Sequence, residues 1–389
     1  MRTLYQKFET LLQSTTTDFK RYLYDDVSWE SRMIGIIGAR GVGKTTMILQ
    51  HIKEKLDSKK ALYVSADDMY FGENRLIDLA EDFYKNAGEY LFIDEIHKYT
   101  HWSRELKNIH DSFPTLKVVF TGSSVLDILK GSDDLSRRAI IYELQGLSFR
   151  EYLKLFHNYE SDIYTLKQII KNEVKLENIQ HPLPLFNDYL RRGYYPFGIE
   201  NEMSLRLGQI IVQTLESDIP QYANLNVGTS RKLKRLLSII AESVPFKPNF
   251  SKISEMINVS RNSLDDYFSY MENAGLIGQL RNETGGIRGL GKIDKVYLDN
   301  TNIIFNLVGE KSNVGNLRES FFFNQMRVKN EVISSKNADF EIEHYTFEVG
   351  GKNKKQHQIE KDGKSFVVKD DIEYGYRNVI PLWSFGLNY

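Results

Sequence analysis

Apolar residues fall into short continuous runs in the first third of this chain and into spaced, helix-like patterns through its middle. Met33 to Ile37 is apolar apart from Gly35, and Leu91-Phe-Ile93 is a second such run. Continuous runs of this length predict strands buried on both faces, hence a parallel sheet covered by helices. Lys60 to Asp67 and, after Pro114, Leu116 to Ser124 predict two more strands. Met47, Ile48, His51, Ile52 and Leu56 keep helical spacing after the first run. From about 147 to 225 no strand pattern occurs, and Tyr152, Leu155 and Phe156, then Leu205, Ile210, Ile211 and Leu215, predict helices. Near 228 the pattern changes. An amphipathic helix over 230–241, a short one over 251–257, a turn at Asn258 to Ser260 and a third helix from Arg261 to Gly275 precede a glycine-rich loop (Gly285, Gly286, Gly289, Gly291). This order predicts a winged helix-turn-helix. Asn316 to Met326 predicts a helix exposing Glu319, and Asn337 to Lys352 a tight hairpin. The expected fold class is α/β: a parallel sheet with helices on both faces (1–146), a helical lid (147–227), the winged helix (228–300) and a small α+β domain (301–389).

Composition narrows the classes. At 389 residues the chain exceeds one ordinary core, and 41% hydrophobic with 26% charged residues describes a globular protein. A net charge of −1 excludes a surface that binds nucleic acid all over, so any such role needs a local patch. The absence of cysteine removes disulfides, zinc–cysteine sites and thiol chemistry. No run is long enough to span a bilayer and the first residues lack a signal-peptide core, so a cytoplasmic protein with no membrane partner is expected. The 23 Tyr and 22 Phe are spread along the chain, as core packing requires.

The chemistry concentrates where the first run ends, in Gly38-Ala39-Arg40-Gly41-Val42-Gly43-Lys44-Thr45-Thr46. Glycines there let backbone N–H groups wrap a phosphate chain, and the following helix adds its positive N-terminal end. Lys44 would reach the β- and γ-phosphates and the Thr45 hydroxyl would hold Mg²⁺. Asp94 and Glu95 lie where a parallel central strand delivers them to its C-terminal edge, the side on which such sheets bind ligands. Asp94 would complete the Mg²⁺ shell and Glu95 would polarise the attacking water. Thr121 or Ser123 would sense the γ-phosphate or the water, the alternative being an ordinary hydroxyl turn. Arg137 or Arg138 follows, with Arg138 the better candidate for a group aimed at the γ-phosphate; a salt bridge to Asp133 or Asp134 is the other reading. ATP and Mg²⁺ are the expected cofactors. His97 is expected to start a helix or lie at an interface.

Gly38 to Thr45, Leu91 to Glu95, Thr121-Gly-Ser-Ser124, Arg138 and Tyr142 to Tyr152 together resemble an AAA+ ATPase. The chain is similar to a prokaryotic group related to the STAND ATPases, which carries a winged helix and a C-terminal domain of unknown function resembling restriction-endonuclease-like nucleases. The resemblance implies an ATPase. It also implies that Tyr189 to Pro196 is the lid motif of that group, with Pro196 near the nucleotide. For the last domain it implies a Mg²⁺-binding Asp and Glu on adjacent strands, here Asp339 and Glu348 with Glu319 nearby, and a lysine two residues after the Glu. Gly350 stands at that place and the first lysine is Lys352, which favours an inert fold over an active nuclease.

What hydrolysis would drive stays open at this level. Residues 226–300 hold eleven Lys/Arg against eight Asp/Glu, a weak surplus. Asp265, Asp266 and Glu272 on the third helix would repel DNA phosphates, whereas Arg261, Asn262, Arg281, Arg288 and Lys292 would contact them. A nucleotide-driven switch docking to a protein and an ATPase acting on DNA both fit, and an oligomer is compatible with either.

Overall fold

The computed structural model describes residues 2–122, 135, 137–223, 225, 227–242, 247–282, 292–309, 313–353 and 363–389. Ser123 and Ser124, Asp133 and Asp134, and the wing residues Gly285, Gly286, Arg288, Gly289 and Gly291 lie outside them. The chain divides into two compact units, 1–145 and 146–389.

In the first unit, β1 (Met33–Ile37), β2 (Ala61–Ser65), β3 (Tyr90–Asp94), β4 (Lys117–Gly122) and β5 (Ile140–Glu143) form one parallel sheet in the order β2-β3-β4-β1-β5. The helices among its described residues are α1 (Arg2–Ser14), α2 (Lys44–Lys55), α3 (Leu76–Lys85) and α4 (Trp102–Ser112). Every residue of β1 is buried, as are Leu91, Phe92 and Ile93 of β3, as strands covered on both faces require. The chain jumps from β1 past β4 and β3 to start β2, and this crossover leaves a crevice at the carboxyl ends of β1 and β4, with the end of β3 next to it. The glycine-rich loop follows β1 and Asp94 ends β3, so topology alone brings them to the same edge.

The second unit begins with α5 (Phe149–His157), α6 (Leu166–Ile170), α7 (Leu183–Asp188), α8 (Met203–Gln213) and α9 (Ile219–Ala223). Ser148 and Glu151 form a reciprocal capping box at the start of α5. Next come α10 (Val227–Glu242), α11 (Phe250–Ile257) and α12 (Arg261–Asn273), then the antiparallel pair β6 (Ile277–Arg281) and β7 (Ile293–Leu298). After α13 (Thr301–Val308) and α14 (Val314–Met326), the strands β8 (Val332–Ser334), β9 (Phe340–Ile342), β10 (Tyr345–Gly350), β11 (Ser365–Lys369) and β12 (Val379–Pro381) make a mixed sheet in sequential order. This unit is α+β. Phe149, Tyr152 and Phe186 from the helices, Tyr297 from β7, and Phe321, Phe322, Phe347 and Phe385 from the C-terminal part close a single core. Side chains from both sides of the boundaries expected at 227 and 300 therefore share it.

One local irregularity is well braced. Tyr189–Gly193 is a π-helical turn, which widens the helix and changes which carbonyls find partners within it. The Asn302 amide donates to the carbonyls of Tyr189 (3.3 Å) and Leu190 (3.0 Å), and its oxygen accepts the N–H of Tyr194 at 2.9 Å.

Candidate functional site

The loop after β1 adopts its shape for backbone reasons. Gly43 caps α2 at φ 98°, ψ 21°, a left-handed conformation that a side chain would strain. A Cβ on Gly38 would stand 2.2 Å from the Leu144 carbonyl oxygen, so only glycine fits there. Val42 is fully buried, and its carbonyl accepts a hydrogen bond from the Arg21 guanidinium, which also donates to the Gln145 carbonyl at 2.7 Å. Arg21, itself buried, thus props the loop from behind. Lys44 starts α2; its ammonium is buried and donates to the carbonyls of Gly38 (2.8 Å) and Ala39 (2.9 Å). Arg40 and Ala39 are half-buried, whereas Gly41 and Thr46 are exposed.

Asp94 is the hub of the site. Its Oδ2 accepts from the Thr45 hydroxyl at 2.6 Å and from the Tyr63 phenol at 2.8 Å, and its Oδ1 accepts from the Thr121 hydroxyl. Thr121 Oγ1 in turn accepts the Glu95 N–H at 3.1 Å. Fully buried Thr121 therefore sets both carboxylate residues in place. Hydroxyl and carboxylate oxygens this close form a hard donor set suited to Mg²⁺.

Glu95 sits at φ 50°, ψ 40°, an uncommon conformation for a residue with a side chain. Such outliers persist where surroundings over-determine them, and they cluster at functional sites. His97, in the short 3₁₀ turn Ile96–Lys98, brings Nε2 to 3.3 Å from Glu95 Oε2. Burial pushes the His97 imidazole down to about 3, so it is neutral at physiological pH. Arg138 forms a bidentate pair with Asp111 at 2.9 Å, a partner other than the two aspartates its sequence neighbourhood suggested. Arg137 is exposed. Pro196 belongs to the second unit, where it opens the 3₁₀ turn Pro196–Ile199.

Sequence spacing singled out neither Tyr63 nor Arg21. Both act through contacts between residues far apart in the chain, which no local pattern signals.

The carboxylates expected to form a second metal site are arranged differently from expectation. Glu319 is not exposed: its side chain keeps 12% of its accessible surface, because Lys295 on β7 donates to it at 3.1 Å and the Tyr297 phenol at 2.7 Å. The same ammonium donates to Asp339 at 3.0 Å, whose other oxygen accepts the Val349 N–H. Lys352 lies exposed just past β10, and Lys295 is a cation that Glu319 and Asp339 share. Burial, and then the Asp339 charge, raise the Glu319 carboxyl above its ordinary range. Burial opposes the Lys295 charge, but the two carboxylates outweigh it and raise the ammonium. Glu348 is half-buried on β10, in register with Val367. No group of three or more metal-ligating side chains occurs among the described residues. Lys295→Met strands two part-buried carboxylates and is expected to cost about 3 kcal/mol, read as a lower denaturant midpoint for the second unit. An unchanged midpoint would show that the pair contributes nothing.

A parallel sheet whose glycine-rich loop leads through lysine and threonine into a helix, with Asp-Glu at the end of a central strand one strand removed, is a P-loop NTPase fold. In sequence, residues 30–153 match the family described as AAA domain, a match that takes in most of the first unit. Residues 183–313 match a family described as a domain of unknown function, DUF8612. Among curated proteins, the chain is 25% identical over 279 residues to the uncharacterized protein MJ1637 of Methanocaldococcus jannaschii, covering 66% of this chain and 58% of that protein. It thus spans under two thirds of that relative's length. Among solved structures, the Walker-type ATPase PABY2304 of Pyrococcus abyssi is 13% identical with a TM-score of 0.45, covering 74% of this chain and 95% of the other. PCH-2 of C. elegans is 13% identical with a TM-score of 0.25, covering 69% and 67%. Likenesses this remote carry no argument about function.

Proposed function

We propose that the chain is a Mg²⁺-dependent ATPase whose binding and hydrolysis of ATP switch its conformation and so regulate docking to a macromolecular partner. The observation that carries the first half is the hydroxyl–carboxylate network joining Thr45, Asp94, Thr121 and Glu95. The loop amides and Lys44 would hold the phosphates, and Thr45 with Asp94 would hold Mg²⁺, which when bound neutralises phosphate charge. Glu95 would accept the proton of the attacking water, with its backbone fixed by Thr121. In this reading Thr121 acts by placing the two carboxylates, Ser123 keeps the sensing role, and Arg138 would have to leave Asp111 to meet a nucleotide. Pro196 is proposed near the nucleotide, and the cytoplasm as the place of action. No described helix is long and apolar enough to cross a membrane.

A second reading, an ATPase acting on DNA, is favoured by one observation: α10, α11 and α12 precede an antiparallel strand pair, the order of a winged helix. Arg261 and Asn262 on α12 are exposed, as a DNA-reading helix requires. Asp265 and Asp266 are exposed on the same helix and would meet phosphates with the wrong sign. Protein docking is therefore the reading put forward. The C-terminal Lys295–Glu319–Asp339 cluster fits an inert nuclease-like domain, its two carboxylates being already paired to one ammonium. Titrating labelled duplex DNA with the full chain, with and without ATP and Mg²⁺, separates the two readings. No binding is expected even at low salt. A complex whose affinity falls steeply with salt would favour DNA instead.

A further inference from the structure

Three hydroxyl groups from three elements converge on Asp94: Thr45 from α2, Thr121 from β4 and Tyr63 from β2. We propose that Tyr63 is a positioning residue for the magnesium site, its phenol fixing the Asp94 carboxylate in the orientation that cation binding requires. The proposal rests on the ATPase reading above and adds to it a residue on the neighbouring strand.

Register explains how the side chain arrives. β2 and β3 run parallel with Tyr63 beside Phe92 and Ser65 beside Asp94. Only a long side chain can reach two positions forward along the strand, and the tyrosine ring spans that distance. Tyr63 is 6% exposed, and its ring stacks on Phe8 of α1 with centroids 6.5 Å apart and planes 27° apart. The ring would pack as well in phenylalanine. The hydroxyl is the part that packing does not explain, since burying it costs free energy unless it is hydrogen-bonded.

The three donors do different work. Thr121 fixes Oδ1, while Thr45 and Tyr63 share Oδ2, whose two lone pairs they fill. Thr45 is the residue that would itself touch the cation, so its hydroxyl must stay free to adjust. Tyr63 has no such second duty. It restrains the carboxylate through Oδ2 and opposes rotation that would turn that oxygen away from Thr45. Outer partners of this kind orient ligands and tune their basicity.

The test is Tyr63→Phe in the full chain, read by binding rather than turnover. A non-hydrolysable ATP analogue is titrated by calorimetry at stepped Mg²⁺ concentrations and also in EDTA. The Mg²⁺ concentration for half-maximal tightening is expected to rise about tenfold, with affinity in EDTA unchanged. An unchanged Mg²⁺ requirement overturns the proposal, and so does an equal loss of affinity with and without Mg²⁺, which marks a merely structural hydroxyl. Wild-type protein that binds the analogue indifferently to Mg²⁺ would overturn the ATPase reading itself, and this proposal with it.

Discussion

Lys44→Ala is expected to abolish ATP binding, with affinity falling by at least about a hundredfold, as loss of charged hydrogen bonds worth about 3 kcal/mol implies. The Lys44 ammonium is buried and held by the carbonyls of Gly38 and Ala39. Alanine removes the positive charge that would meet the β- and γ-phosphates. It also leaves the two loop carbonyls without that donor. Both effects act on binding rather than on chemistry. Calorimetry with ATP or a fluorescent analogue reads the result directly, and retained affinity would place the nucleotide elsewhere.

The opposite signature is expected for Glu95→Gln, which should bind ATP normally and hydrolyse it about a hundred- to ten-thousandfold more slowly, the range that general-base catalysis supplies. Glutamine keeps the size of the side chain and leaves the backbone bond to Thr121 intact. It cannot accept a proton from water. The neighbouring His97 cannot easily substitute, because burial makes it a weak base. Single-turnover hydrolysis alongside a binding titration separates the two variants: Lys44→Ala fails in the titration, Glu95→Gln only in the turnover. A normal rate for the glutamine variant would remove Glu95 as the base.

The parts of this site that were legible in the sequence are those fixed by local chain geometry. Buried strands are continuous apolar runs, glycine-rich turns need particular residues at particular places, and both fall within a few positions of Lys44, Asp94 and Glu95. The P-loop and the carboxylate pair could therefore be named from spacing. Tyr63 and Arg21 could not, because each is placed by strand order and packing rather than by its neighbours in the chain. Strand β5 carries no such signal either. It is an edge strand with Ile140, Ile141 and Glu143 exposed, so it lacks the uniformly buried run that marks central strands. β8 and β12 are three residues each, too short to show any period. Glu319 was misplaced for a related reason: helical spacing shows which face a residue shares, whereas the charge that Lys295 brings to that face comes from another element.

The π-helical turn at Tyr189–Gly193 bears on how this chain could have changed length over time. A π turn is what an α-helix becomes when one residue is added without shifting the segments on either side. Removing one residue there would restore an α-helix locally and leave the Asn302 amide facing carbonyls already used within the helix. The extra residue and the asparagine are thus a matched pair, separated by more than a hundred positions in the chain. Among relatives, gain or loss of the one should travel with a change at the other, a lineage marker written in length and not in composition.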